Sequence, residues 1–242
     1  MSKNKFEHLR QFTSARIGLG RVGSSLKTID LLKFQLDHAL AKDAVMAEVD
    51  FDALATNKLF KNTSIILETQ AENREIYLQR PDLGRKINEK ADQRLKKVDS
   101  GLDLALILGD GLSAAAVENH AIPLIRALTP KLKNFSCTPW IMVKNARVAV
   151  GDDIGFHTSV KLSVILIGER PGLSTPDSLG IYFTYNPRPG LTDERRNCIS
   201  NIHGNGLSYE LAAEKLAFLL QQSLKLQISG VKLKDNSQKN LD

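Results

Sequence analysis

Apolar positions recur along this chain with two different periods, and the change falls near residue 100. Before it the pattern is helical. Leu26, Ile29, Leu32, Leu36 and Leu40 return at helical spacing behind Ser24 and Ser25, which can cap a helix. A second polar–apolar segment runs through 68–78. A third, 83–98, is heavily charged, with Ile87, Ala91 and Leu95 forming one apolar stripe on a solvated helix. KKVDSG (96–101) reads as a linker. Beyond it come continuous apolar runs of strand length, 102–108, 138–143 and 162–167, and a weaker one at 181–185. Helical stretches at 114–132 and 207–224 lie between and after them, and Pro123 is expected to kink or split the first. Continuous apolar strands alternating with helices predict a mostly parallel sheet covered on both faces. The expected fold class is α plus α/β: a helical N-terminal domain over 1–98, then a small three-layer α/β domain over 99–242, with 232–242 as a frayed polar tail.

Composition narrows the function classes. The 242 residues allow one large domain or two small ones. Hydrophobic residues at 42% and charged residues at 25% exclude a disordered chain. The longest apolar runs fall far short of the ~20 residues that span a bilayer, so no membrane segment is expected. Residues 1–9 carry no apolar signal core, and two cysteines, Cys137 and Cys198, make no disulfide framework. A cytoplasmic protein is expected. The net charge of +6 admits nucleic acid but does not argue for it, and there is no aromatic set for stacking bases, so no nucleic-acid partner is expected.

Three loops leave the predicted strands, where open α/β sheets bind ligands. In Gly109-Asp110-Gly111-Leu112-Ser113 the glycines permit close backbone approach, and Ser113 stands at a helix N-cap; an anion contact and a plain capped turn are both open. In Gly168-Glu169-Arg170-Pro171-Gly172-Leu173 a charged pair follows a strand directly. It can hydrogen-bond a ligand's amides and carbonyls, or form a local salt bridge worth little. The stretch 198–206 sets Cys198 and His203 among small polar residues. That suggests a Cys/His nucleophile or a metal ligand, but no CxxC or HxxxH spacing supports either. Cys137 reads as a small buried hydrophobe. Arg21, within 18–23, and Arg80 and Arg85, within 80–85, suit ionic docking to a neighbour or simply mark helix boundaries.

GRVG (20–23), KDAV (42–45), YLQRPDLGRK (77–86), DGLS (110–113), GERPGL (168–173) and CISNIHGNG (198–206) together resemble, in this order, the small-subunit family of ethanolamine ammonia-lyase. The resemblance covers nearly the whole chain. It implies one half of an adenosylcobalamin-dependent radical enzyme that converts ethanolamine to acetaldehyde and ammonia. A TIM-barrel large subunit would hold the substrate, and this chain would contribute a Rossmann-like domain. The cofactor would lie between the two chains, in a hetero-oligomer of six of each. Carried over residue by residue, the family's cobalamin contacts fall on Val148 in RVAVGDDIG, Glu169 in GERPG and Cys198 in CISNIH. No catalytic residue and no metal ligand is assigned to this chain.

Two departures qualify the resemblance. Asp153 to His157 does not fit the DxHxxG motif by which many cobalamin domains supply a histidine to cobalt, so base-on binding is implied. Some family members carry a longer N-terminal extension linked to packaging in a bacterial microcompartment. This chain starts almost directly at the core, which leaves such targeting unsupported. Val148, Glu169 and Cys198 are expected to share one surface at the C-terminal edge of the sheet, with Arg21, Arg80 and Arg85 at subunit contacts away from it.

Overall fold

The computed structural model describes residues 6–12, 15–60 and 64–236. A two-stranded hairpin, β1 (Arg21–Val22) and β2 (Ser25–Leu26), leads into the long helix α1 (Thr28–Met46), followed by the short helix α2 (Phe51–Ala55). The remaining elements are β3 (Ile65–Glu68), α3 (Arg74–Gln79), α4 (Glu89–Leu95), β4 (Leu104–Gly109), α5 (Ala114–Leu128), β5 (Ile141–Lys144), α6 (Val150–His157), β6 (Leu162–Gly168), β7 (Leu179–Tyr185), β8 (Arg196–Ile202) and α7 (Tyr209–Leu226). Six strands form one sheet in the order β3-β5-β4-β6-β7-β8. The first four are parallel, and β7 and β8 return antiparallel.

This is the expected α plus α/β architecture with a mostly parallel sheet, and the reason is visible in the strands. All side chains of β4 and β6 are buried, which only helices on both faces can achieve. One face carries Leu104, Leu106, Leu108, Val164 and Leu166 under α5 and α7. The other carries Ala105, Ile107, Ile165 and Ile167, under Ala91 and Leu95 of α4 and Val150 and Ile154 of α6. The chain goes from β4 through α5 to β5, then back over β4 through α6 to β6. The C-terminal ends of β4, β5 and β6 therefore open onto one edge.

Several details differ from the sequence reading. The stretch before residue 98 is not purely helical: β3 pairs in parallel with β5, so one sheet draws strands from both sides of the expected boundary. The apolar residues of β3, Ile65, Ile66 and Leu67, fall just before the segment read as 68–78, and four edge residues bonding on one side make too short a pattern to stand out. The helix there is α3, five residues beyond β3. Residues 196–202, read as loop, form β8, whose exposed Ser200 and Asn201 alternate irregularly with buried Ile199 and Ile202. Helix α5 runs on through Pro123 without splitting; the proline forfeits one backbone hydrogen bond while Val117, Ala121 and Leu124 bury on the sheet. Finally, α1 starts at Thr28 behind Lys27, not behind the serines, and its predicted apolar stripe faces solvent.

Candidate functional site at the strand ends

The loop after β4 is built around two close approaches. Gly111 has φ +61°, and a Cβ there would lie 2.0 Å from the Gly168 carbonyl oxygen. A Cβ on Gly168 would in turn meet the carbonyls of Ser113 and Asp110. Only glycines let the ends of β4 and β6 come together this closely. Ser113 is the N-cap of α5, accepting from the Ala116 N–H, and its hydroxyl donates to the Pro176 carbonyl at 2.8 Å. The capped-turn reading of this serine therefore holds, and the same hydroxyl pins the loop that follows β6.

Asp110, fully buried, organises the neighbouring loop. Its carboxylate accepts from the backbone N–H groups of Asn145 and Ala146, each at 2.8 Å, and so fixes the turn after β5, where Asn145 has φ +56°. Burial is the largest influence on this carboxyl and raises its pKa to about 6 against those hydrogen bonds and the field of Arg74. Arg74 donates to the carbonyls of Val45 at 2.7 Å and Gly111 at 2.9 Å, and its guanidinium lies 4.7 Å from the centre of the Tyr77 ring. Tyr77 is fully buried and donates to the Ala146 carbonyl at 2.9 Å. Arg147 stacks on the same ring at 4.1 Å. A tyrosine clamped by two guanidinium groups thus supports the floor of the site.

A cleft of about 410 Å³ opens on this floor, lined by Tyr77, Gly111, Val148, Glu169, Arg170 and Tyr182 among others. Val148 and Glu169 share it. The Glu169 carboxylate is held by the Ser178 hydroxyl at 2.6 Å and reaches the Asn201 N–H at 3.4 Å. It lies across Gly180, where a Cβ would come within 2.7 Å of its Oε1. Cys198 does not line the cleft itself but sits opposite Tyr182, which does, in the β7–β8 register. Val148 and Glu169 therefore share the cleft, while Cys198 lies at mid-strand level beside Tyr182.

Cys198 is exposed as a residue, but the packing around its sulfur is the main influence raising the thiol pKa above its ordinary value, with the Glu169 charge adding to it, so the sulfur stays protonated at neutral pH. His203 turns to Asn201 Oδ1, at 2.8 Å, and to the Asn205 N–H. No hydrogen bond joins Cys198 to His203 among the described residues, and none of the described His, Cys, Asp and Glu side chains gather into a metal-binding group. Cys137 is partly buried, and burial raises its thiol pKa to about 11.

A second cleft of about 660 Å³ adjoins the first and shares Arg147 and Val148 with it; Arg85 lines this one. Arg85 therefore stands on the same surface as Val148, not apart from it as its place in the sequence suggested. Arg80 instead forms an exposed two-pronged pair with Asp82, at 2.8 and 3.0 Å, and Arg21 is exposed on the hairpin. Arg74, Tyr77, Asp110 and Tyr182 escaped the sequence reading as site residues. Asp110 was signalled by its two flanking glycines. The others had no local signal, because their roles depend on partners elsewhere in the chain, such as Ala146 for Tyr77 and Gly111 for Arg74.

The chain is an α/β protein with a cleft over the C-terminal ends of its parallel strands, the place where open α/β sheets take ligands. Residues 3–234 match the family model for the ethanolamine ammonia-lyase light chain. The chain is 48% identical over 244 residues to the ethanolamine ammonia-lyase small subunit of Pseudomonas syringae pv. tomato, covering 98% of this chain and 85% of the relative. It is 47% identical to the small subunit from Pseudomonas aeruginosa strain LESB58, covering 98% and 89%, and 46% identical to that from Azotobacter vinelandii strain DJ, covering 98% and 90%. The chain belongs to the ethanolamine ammonia-lyase light-chain family, whose members are subunits of a carbon–nitrogen lyase. No helix among the described residues is long and apolar enough to cross a membrane.

Proposed function

We propose that this chain is the small subunit of an adenosylcobalamin-dependent ethanolamine ammonia-lyase and holds the cofactor, base-on, against the large subunit. The observation that carries this reading is the convergence of Val148 and Glu169 on one cleft, with Cys198 beside Tyr182, which lines it. The residues fit such a group. Val148 offers an apolar surface to a flat macrocycle. Glu169, oriented by Ser178, can accept from the amides on the corrin rim. Arg147 lines the cleft and forms no ion pair among the described residues, so its charge is available to a polar ligand.

When bound, the cofactor supplies the radical chemistry through homolysis of its cobalt–carbon bond. This chain's part is to bind, orient and cover. Asp110 and Tyr77 hold the 145–148 turn rigid, so that Val148 is presented at a fixed height. Cys198, protonated against Tyr182, serves as a small polarizable contact. The large subunit, a TIM barrel in this reading, would close the open side and exclude water, in an assembly of six of each chain. Support for a partner comes from α1. Ile29, Leu32, Leu36 and Leu40 form one exposed apolar stripe, while Leu31 and Phe34 lie on the opposite side of the helix. A helix apolar on two sides is built to be buried between surfaces.

Co-expression with the large subunit tests the reading. Ammonia release from ethanolamine should require both chains and adenosylcobalamin, and the chain alone should release none. Release by the isolated chain, or failure of the two chains to form a complex, would overturn it. In the assembled enzyme, Glu169→Ala should weaken apparent cofactor affinity about ten- to hundredfold, from the ~1.5–3 kcal/mol of a hydrogen bond to a charged group. Cys198→Ser should cost less and keep turnover. A dead Cys198→Ser enzyme with normal cofactor binding would instead assign the thiol a chemical role.

A further inference from the structure

The two clefts meet at Arg147, and the charge balance there is uneven. The carboxylates lining the larger cleft are each engaged within the chain. Asp82 pairs with Arg80, and Asp152 and Asp193 both pair with Arg196. Asp153 accepts from the Ile87 N–H at 2.8 Å. By contrast, Arg85, Arg147 and Arg170 form no ion pair among the described residues. Arg85 lines one cleft, Arg170 lines the other, and Arg147 lines both. Glu169, the neighbour of Arg170, is turned away to Ser178.

Arg147 is also held in place in advance. Its stem passes Gly84, where a Cβ would sit 2.9 Å from the Arg147 Cγ. Its guanidinium stacks on Tyr77, and one amino group donates to the Tyr77 carbonyl at 3.1 Å. What remains is an immobilised guanidinium whose Nε is sealed inside the fold, leaving its terminal amino groups to meet a ligand in the clefts. Burial, with the fields of Arg74, Arg170 and Arg85 adding to it, disfavours its charge, so an anion here would relieve a cost already present in the fold. Guanidinium groups bind phosphate oxygens two at a time, which a planar, immobilised fork suits better than a lysine would.

We propose that Arg147, flanked by Arg85 and Arg170, is the anchor for a phosphodiester on the ligand that occupies the cleft. This rests on the cofactor reading above, in which the phosphodiester is the one in the cobalamin nucleotide tail. Arg147 thereby becomes a specificity determinant: it selects the complete cofactor over its tail-less precursor form.

The test compares binding of adenosylcobalamin and of adenosylcobinamide, which lacks the nucleotide and its phosphodiester. Both are titrated by equilibrium dialysis into the complex with the large subunit. Arg147→Gln should weaken adenosylcobalamin binding about ten- to hundredfold and leave adenosylcobinamide binding unchanged. Arg147→Lys should lose less, because charge is kept and only the fork is gone. Arg170→Gln, at an exposed position where folding is not at stake, should show the same selectivity with a smaller loss. The selective loss should shrink as salt rises. Equal weakening of both ligands by Arg147→Gln and by Arg170→Gln would overturn the anchor while leaving the cofactor reading intact. A wild-type complex that binds neither ligand would remove the cofactor reading, and this proposal with it.

Discussion

Two leucine-rich regions of this chain end in opposite surroundings. In β4, Leu104 and Leu108 are fully buried beneath α5 and α7. On α1, Ile29 is 71% exposed, Leu36 is 59% and Leu40 is 48%. The hydrophobicity is similar, so the difference lies in what surrounds it. The sheet closes on helices supplied by the chain itself. The hairpin and α1 have few neighbours: the end of α1 is tied down by the Arg74–Val45 contact, and Arg16 pairs with Asp37 and lies over Phe34. Full burial of each such side chain is worth ~1.5–3 kcal/mol, so α1 leaves on the order of 5–10 kcal/mol unrealised in the single chain. The sheet region buries its apolar residues within the chain, whereas α1 leaves its own uncovered.

That contrast can be broken in the sheet region first. Gly111→Ala would force an alanine into φ +61° with its methyl carbon 2.0 Å from the Gly168 carbonyl. It should cost more than ~4 kcal/mol and abolish cooperative unfolding in urea titrations. If Gly111→Ala left the urea midpoint unchanged, the closeness of β4 and β6 would not be what holds this edge together.

The buried charge sharpens the comparison with a smaller effect. The Asp110 carboxyl has a folded pKa raised to about 6, above its ordinary value of 3.8. The folded state therefore binds this proton more tightly than the unfolded state does. The contribution is fully present below about pH 4 and lost as pH rises through about 6, amounting to about 3 kcal/mol. Asp110→Asn should flatten the dependence of unfolding free energy on pH over that window, as measured by urea unfolding at stepped pH. An unchanged slope would place the titration elsewhere.

The smallest effect on the single chain is expected on α1. Leu32→Glu with Leu36→Glu should change its unfolding free energy by less than ~0.5 kcal/mol, since both positions are already exposed. The same pair should weaken assembly with the large subunit, read by gel filtration of the co-expressed chains. A large loss of stability in the isolated chain would mean that α1 is packed on the sheet region and is not awaiting a partner.

The legible parts of the fold were those whose sequence carries its own burial pattern. The run Leu104–Gly109 is apolar at nearly every step, and Ser113 sits where a cap must, so strand, turn and helix could be read together. The strand Ile65–Glu68 was missed because its membership depends on Ile141–Lys144, more than seventy residues away. Arg196–Ile202 was missed because one face of that edge strand is solvated and polar. At the site, Glu169 and Val148 were reachable through the family motifs. The clamp of Arg74 and Arg147 on Tyr77 was not, since nothing local marks a tyrosine on an amphipathic turn as the one that two guanidinium groups will cover. The apolar stripe of α1 was read correctly as a stripe; that it faces solvent depends on the number of chains present, which a periodicity does not encode.

The position of β3 at the sheet edge has a consequence for how the protein is made. Its only strand partner among the described residues, β5, leaves the ribosome about 76 residues later, a wait of roughly 4–15 s at translation speeds of ~5–20 residues per second. During that interval the nascent chain exposes an unpaired strand with Ile65, Ile66 and Leu67, behind an α1 that is also uncovered. The first 70 or so residues of this polypeptide are therefore the part most in need of chaperone protection during synthesis.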